Sequence, residues 1–178
     1  ESAKYLSETI DDFRNFFNPE KNITTFYIEK AINQTIKLTS AQFKNHDIQI
    51  VEDIDKIEIK SLENEIIQVL INLLNNARDE LIKKEEKRYI FIGAKKENSN
   101  LVISVKDSAG GVPEEIIDRI FEPYFTTKFK SQGTGIGLYM TEEIVVKHLE
   151  GTIFVENVKY DFEDEIFEGA EFKITLPL

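Results

Sequence analysis

The stretch Asn72-Leu73-Leu74-Asn75-Asn76-Ala77 sets two carboxamides, Asn72 and Asn76, one helical turn apart, with Asp79 on the same face seven residues beyond Asn72. Asparagine in a helix interior costs roughly half a kcal/mol against alanine, so three within five residues ask for a reason. One reason is tolerance on an exposed polar face. The other is chemical: a carboxamide oxygen is a neutral, hard ligand, suited to a magnesium ion whose remaining positions go to water and phosphate oxygens. Taken alone, the stretch leaves both open.

A second group begins where the apolar run Leu101 to Val105 ends in Lys106-Asp107-Ser108-Ala109-Gly110-Gly111-Val112-Pro113. A carboxylate at the end of a buried strand can accept from an amino group such as the exocyclic amine of adenine, and glycines let a flat ring approach the backbone. An ordinary strand exit also uses Asp and Gly. A third group, Gln132-Gly133-Thr134-Gly135-Ile136-Gly137-Leu138, opens a helix with glycines on alternate residues, a loop able to bend around phosphates. It fits neither GxxxxGK[ST] nor GxGxxG. Five of the eight glycines lie between 110 and 137, which marks a binding lid built on backbone contacts. Between the second and third groups, Phe121-Glu122-Pro123-Tyr124-Phe125-Thr126-Thr127-Lys128 sets an aromatic cluster, suited to packing the lid base, beside a cation that could meet a phosphate. His46 and His148 stand without partners in sequence and read as structural or solvated.

These groups need elements to hold them. Apolar residues at helical spacing predict an amphipathic helix over 4–17, stopped by Asn18-Pro19. A short strand over 24–29 precedes a helix running from Ala31 to about Asn45, and a strand over 48–54 follows. The clearest helix starts after Ser61 as its cap, with Glu63 and Glu65 in the first turn, and its stripe Ile66, Leu70, Leu73, Ala77, Leu81 carries it to about Lys84. Residues 88–95 and 101–106 form an antiparallel hairpin. A helix from about Ile136 to His148 ends at Gly151 in a left-handed stop. Strands over 152–158 and 170–176 close the chain, with the acidic run Asp161 to Glu168 as a solvated loop between them. The fold class is α+β, a two-layer α/β sandwich of one mixed sheet covered on one face by helices.

The 178 residues, 41% apolar, suit one compact domain with a short appendage. Lack of cysteine removes disulfides, thiolate nucleophiles and Cys-ligated metals. The net charge of -11 repels a phosphate backbone, so no nucleic-acid partner is expected. A nucleotide is different, because a divalent cation and a placed lysine can mask its charge. No run approaches a membrane span and no signal peptide opens the chain, so a cytoplasmic location is expected. Because the sequence opens on Glu1, it reads as a fragment, with any membrane anchor upstream.

In order and spacing these groups resemble the N, G1 and G2 boxes of sensor histidine kinase catalytic domains, within the superfamily that shares the Bergerat ATP-binding fold, and Phe121 to Thr127 resembles the family's F box. The resemblance covers about 24–178 and implies ATP and Mg2+ as cofactors. It implies that Asn76 ligates magnesium, that Asn72 lies beside the metal and phosphates, and that Asp107 reads adenine. Gly111 and Val112 would support the base, and Gly133, Gly135 and Gly137 would hinge the lid. Asp79, Phe121, Thr126, Thr127, Lys128, Thr134, Ile136 and Leu138 complete the implied nucleotide-binding set, with Asn72 and Lys128 as the catalytic pair. Ala109 departs from the family's DxGxG and implies a slightly tighter pocket. Residues 1–20 resemble the end of the dimerisation and phosphoacceptor hairpin, whose phosphorylated histidine would lie before Glu1. The implied partners are that domain, in a homodimer of the intact kinase, and a response regulator receiver domain. Rival readings are a serine kinase like anti-sigma factors, and a nucleotide-free protein-binding module. Gyrase and mismatch-repair ATPases generally place a general-base glutamate where Asn72 stands, and an amide cannot take a proton from water.

Overall fold

A computed structural model describes residues 23–85, 87–125 and 136–178. The predicted helix over 4–17 and the lid residues Thr126, Thr127, Lys128, Gly133, Thr134 and Gly135 lie outside these. Strand β1 (Thr24–Tyr27) leads directly into helix α1 (Ile28–Asn45), and β2 (Ile48–Ile54) follows. Strand β3 (Glu58–Ser61) precedes helix α2 (Glu63–Leu81), and the hairpin β4 (Arg88–Glu97) and β5 (Asn100–Asp107) comes next. Helix α3 (Gly137–Glu143) continues as a π turn over Ile144–His148, before the long hairpin β6 (Thr152–Phe162) and β7 (Glu165–Pro177).

Five strands form one mixed sheet in the order β2-β4-β5-β7-β6, with β2 parallel to β4 and the other neighbours antiparallel. β1 and β3 pair in a separate two-stranded ribbon. Alternation within the strands decides which face is covered. Ile90, Ile92 and Ala94 of β4, Leu101, Ile103 and Val105 of β5, and Phe172, Ile174 and Leu176 of β7 are buried in one core. The helices supply the other layer through Ile28, Ile32 and Phe43 of α1 and Ile66, Leu70, Leu73, Leu74, Ala77 and Leu81 of α2. Each fully buried Ile, Leu, Val or Phe among them contributes roughly 1.5–3 kcal/mol through burial. The expected two-layer α/β sandwich is the observed architecture.

The intervening residues of the sheet carry an aromatic cluster on the opposite face. Tyr89 and Phe91 of β4 meet Phe162 edge-on at 5.1 and 4.9 Å, and Phe91 meets Tyr160 at 5.4 Å. Phe167 packs on Tyr89 at 5.5 Å. The end of the β6–β7 hairpin is thereby held against β4, two strands away in the sheet. This corrects the expectation of a solvated loop over 161–168: the strands run through the acidic stretch, and Glu163 and Asp164, with φ of 49° and 63°, make the turn. Phe162 and Phe167 outweigh the charge run because their rings have an apolar surface to bury.

Two local stops also differ from expectation. Ser61 closes β3 opposite Thr24 and does not cap α2, whose N-cap is Leu62 without a side-chain hydrogen bond. At the end of α3 the left-handed residue is Glu150, with φ of 58°, and a Cβ on Gly151 would stand 2.4 Å from the Thr175 carbonyl oxygen. Gly151 serves clearance against β7, not the helix stop.

Candidate functional site

At the end of β5 the side chain of Asp107 is 4% exposed. Its Oδ1 accepts from the backbone N–H of Ala109 at 2.9 Å and of Ala170 at 3.2 Å. Oδ2 takes no hydrogen bond from the described residues. Every buried side-chain nitrogen and oxygen among them has a partner, so Oδ2 keeps contact with solvent and is open to a donor. Burial pushes the Asp107 carboxyl up to about 6 from an ordinary 3.8; the Ala109 and Ala170 N–H groups pull it down, Glu80 raises it and Lys84 lowers it. Glu80 lies in the last turn of α2 and Lys84 just beyond it.

The loop after Asp107 is fixed from several sides. Ser108 Oγ donates to the Lys87 carbonyl at 2.9 Å and accepts from the Tyr89 N–H at 3.0 Å. The Gly110 N–H donates to the Glu168 carbonyl at 2.9 Å. The Tyr160 hydroxyl donates to the Asp107 carbonyl oxygen at 2.6 Å. Asn157 clasps Val112, accepting from its N–H at 2.8 Å and donating to its carbonyl at 2.7 Å. Gly111 has φ of 89°, and a Cβ there would lie 2.7 Å from Asn157 Oδ1. Ala109, the departure from DxGxG, has no positive φ, so its methyl group meets no conformational penalty.

Along α2, nearer its middle, the three asparagines differ in commitment. Asn72 donates to Thr141 Oγ1 of α3 at 3.2 Å and accepts from Gln68 at 3.1 Å. Asn75 accepts from Arg78 at 3.3 Å. Asn76 is half-buried, and its side chain makes no hydrogen bond with the described residues. Its carboxamide is the uncommitted one, as a metal ligand needs to be. No group of three or more His, Cys, Asp or Glu side chains among the described residues could cage an ion, so a magnesium at Asn76 would complete its shell with phosphate and water. Asp79 shares the helix face, but its Oδ1 accepts from Arg78 at 2.9 Å.

Just before residue 126, Phe121 stands edge-on to Phe172 at 6.1 Å and packs against the core, and Arg119 lies 4.7 Å from the Phe125 ring. Leu138 packs on the same core, and the Ile136 carbonyl accepts the first turn of α3 from Met140 at 2.8 Å. Gly137 is exposed, with open space around it. His148 Nδ1 lies 3.3 Å from Glu65 Oε2, tying the π turn to α2, and His46 offers its carbonyl to Arg88 at 2.6 Å. The residues missed from sequence are Thr141, Asn157, Tyr160, Gly169 and Ala170. Gly169 carried a signal, since glycine inside a strand marks a close backbone approach: a Cβ there would stand 1.7 Å from the Asp107 carbonyl oxygen.

A polar helix face at mid-α2 and a buried carboxylate at the end of β5, on a mixed sheet with one helical layer, define an ATP-binding module of the Bergerat type. The chain belongs to the histidine kinase-, DNA gyrase B- and HSP90-like ATPase family, whose model matches residues 61–178. It is 32% identical over 163 residues to sporulation kinase A of Bacillus subtilis, covering 89% of this chain and 25% of that protein. To sensor histidine kinase ZraS of Escherichia coli it is 32% identical over 153 residues, covering 85% of this chain and 30% of that protein. The chain thus spans less than a third of these relatives. The catalytic domain of histidine kinase ThkA superposes with a TM-score of 0.73 at 28% identity, covering 88% of this chain and 95% of that one. A complex of ThkA with the response regulator protein TrrA gives a TM-score of 0.71 at 23% identity, covering 98% of this chain and 48% of that one. No described helix is long and apolar enough to cross a membrane.

Proposed function

We propose that this chain is the ATP-binding catalytic domain of a two-component sensor kinase, which delivers the γ-phosphoryl group of ATP to a histidine of a dimerisation and phosphoacceptor domain for relay to a response regulator. Residues 24–178 act as the catalytic domain and residues 1–20 as the end of the phosphoacceptor hairpin. The observation that carries the reading is the pairing of an open Asp107 Oδ2 with an uncommitted Asn76 carboxamide.

Asp107 accepts the adenine amino group, and Gly111 and Val112 wall the base. Asn76 holds the magnesium ion, which when bound neutralises phosphate charge. Asn72, oriented by Gln68 and Thr141, lies beside the phosphates; Lys128 adds a cation, and Thr126, Thr127, Gly133, Thr134, Gly135, Ile136, Gly137 and Leu138 complete the proposed nucleotide-binding set. Catalysis by such a site is positioning and charge neutralisation, the usual demand of phosphoryl transfer. Asn72 is an amide and cannot deprotonate water, which favours transfer over hydrolysis. Neither His46 nor His148 resembles the phosphoacceptor site, so neither is proposed as the acceptor.

Calorimetric titration with a non-hydrolysable ATP analogue, with and without magnesium, tests the reading. Binding that strengthens with magnesium and weakens roughly a hundredfold in Asp107→Asn is expected. Absence of binding by the unaltered chain would overturn it.

A further inference from the structure

The geometry points to Asn157 as a positioning residue for the base pocket, acting from the β6–β7 hairpin on a loop 45 residues away. This inference rests on the nucleotide reading above and names what sets the pocket's shape.

Beyond Asp107 the chain leaves the sheet. Backbone pairing holds it at Ser108, through Tyr89, and at Gly110, through Glu168. Pro113 has no N–H to offer. At Val112 both backbone groups are taken by the Asn157 carboxamide, with bonds of 2.8 and 2.7 Å that reproduce a strand ladder with a side chain. The pairing depends on the neighbour, because a Cβ on Gly111 would occupy the space of Asn157 Oδ1. Asn157 in turn lies opposite Ala170 in the hairpin register, and the Ala170 N–H orients Asp107 Oδ1. One rung of the hairpin thus aims the carboxylate that meets the base and pins the backbone that walls it. Asn157 does this from an exposed position, where its removal leaves no cavity in the core.

The consequence is selective for the base end. Without the clasp, residues 111–113 must be ordered on binding, so adenine nucleotides lose affinity while the phosphate contacts of α2 are untouched. The test compares the unaltered chain with Asn157→Ala and Asn157→Asp, using a non-hydrolysable ATP analogue and magnesium tripolyphosphate as separate probes. Expected are a roughly tenfold weaker analogue Kd for Asn157→Ala and a smaller loss for Asn157→Asp, which can still accept from Val112. The tripolyphosphate Kd stays unchanged, and amide exchange at Val112 speeds up without nucleotide. Equal analogue affinity in unaltered and Asn157→Ala chains overturns the inference. So does a parallel loss for both probes, which would make Asn157 a general structural residue. Should Asn157→Ala fail to fold, Asn157→Asp decides on the same two probes. If the unaltered chain binds tripolyphosphate but no adenine analogue, the adenine reading itself has failed, and the inference with it.

Discussion

The two ends of the site are built on opposite plans. At Asp107 the carboxylate, its carbonyl and the following loop are all engaged, by Ala109, Ala170, Tyr160, Glu168 and Asn157. At mid-α2 the key side chain, Asn76, has no hydrogen-bond partner among the described residues, while those of Asn72 and Asn75, both before it in the helix, do. A group that must discriminate one base from another by direction gains from being fixed beforehand, since its orientation is not bought again at each binding event. A metal ligand whose partners arrive with the ligand needs to be left open. The base end should therefore be sensitive to anything that disturbs its packing, and the metal end insensitive in stability but sensitive in function.

The largest effect is expected at Gly169. A methyl group there would meet the Asp107 carbonyl oxygen at 1.7 Å, a backbone atom and not the far end of a flexible side chain that could yield. Gly169→Ala should lower stability by about 3 kcal/mol or more in chemical denaturation, at the upper end of overpacking costs. A loss under about 1 kcal/mol would show that the strand and loop can part, and the contrast between the two ends would weaken.

Asp107→Asn comes next. The asparagine oxygen can keep both backbone N–H bonds, but then its amide nitrogen faces the adenine amino group, donor to donor. Affinity for an ATP analogue should fall roughly a hundredfold, about 3 kcal/mol, the scale of a hydrogen bond to a charged group together with an unmatched donor. Stability at pH 7.5 should rise, because a buried charge is removed while its bonds remain. A variant that lost stability as well as affinity would mean that the negative charge itself holds the loop.

Asn76→Ala should reverse that pattern. The side chain makes no described hydrogen bond and alanine is the better helix former, so stability should change by less than about 0.5 kcal/mol. Magnesium-dependent strengthening of nucleotide binding should drop about tenfold, with affinity in a chelator unchanged. Loss of binding in chelator as well would show that Asn76 contacts the nucleotide directly.

How much of this could be read from the chain follows the range of the interactions. The helix stripe Ile66 to Leu81 and the alternation in β4 and β5 are local and periodic, and both elements form where expected. Asn72, Asn76 and Asp107 stand on local motifs, and the chemistry proposed for them rests on their residue types. The clasp between Asn157 and Val112 is not, because it joins residues 45 apart through a side chain that reads locally as one more polar strand position. The acidic stretch 161–168 misleads for a related reason. Its charges suggest solvent, while the partners that bury Phe162 and Phe167, Tyr89 and Phe91, lie far earlier in the sequence. Gly169 shows the intermediate case, an anomaly visible locally with a cause that is distant.

The smallest expected effect is a pH dependence that separates folding from binding. Asp107 titrates at about 6 in the folded chain against 3.8 for the ordinary carboxyl, so between these values the folded state holds more proton than the unfolded one. Asp107 therefore makes folding less favourable as pH rises through this window, and acidification from pH 7.5 to 5 should recover about 1 kcal/mol of stability from this group. The gap between Asp107→Asn and the unaltered chain should narrow by that amount in denaturation at the two values. In the proposed site binding runs the other way, since the ionised carboxyl is the stronger acceptor for the adenine amino group. Analogue affinity at pH 5.5 should be roughly fourfold weaker than at pH 7.5, measured with a nucleotide corrected for its own phosphate titration. Asp107→Asn should lack both the stability change and the affinity change. If the unaltered chain bound more tightly on acidification with the same correction, the base would be read by a protonated carboxyl acting as donor, and the assignment of Asp107 as acceptor would have to be reversed.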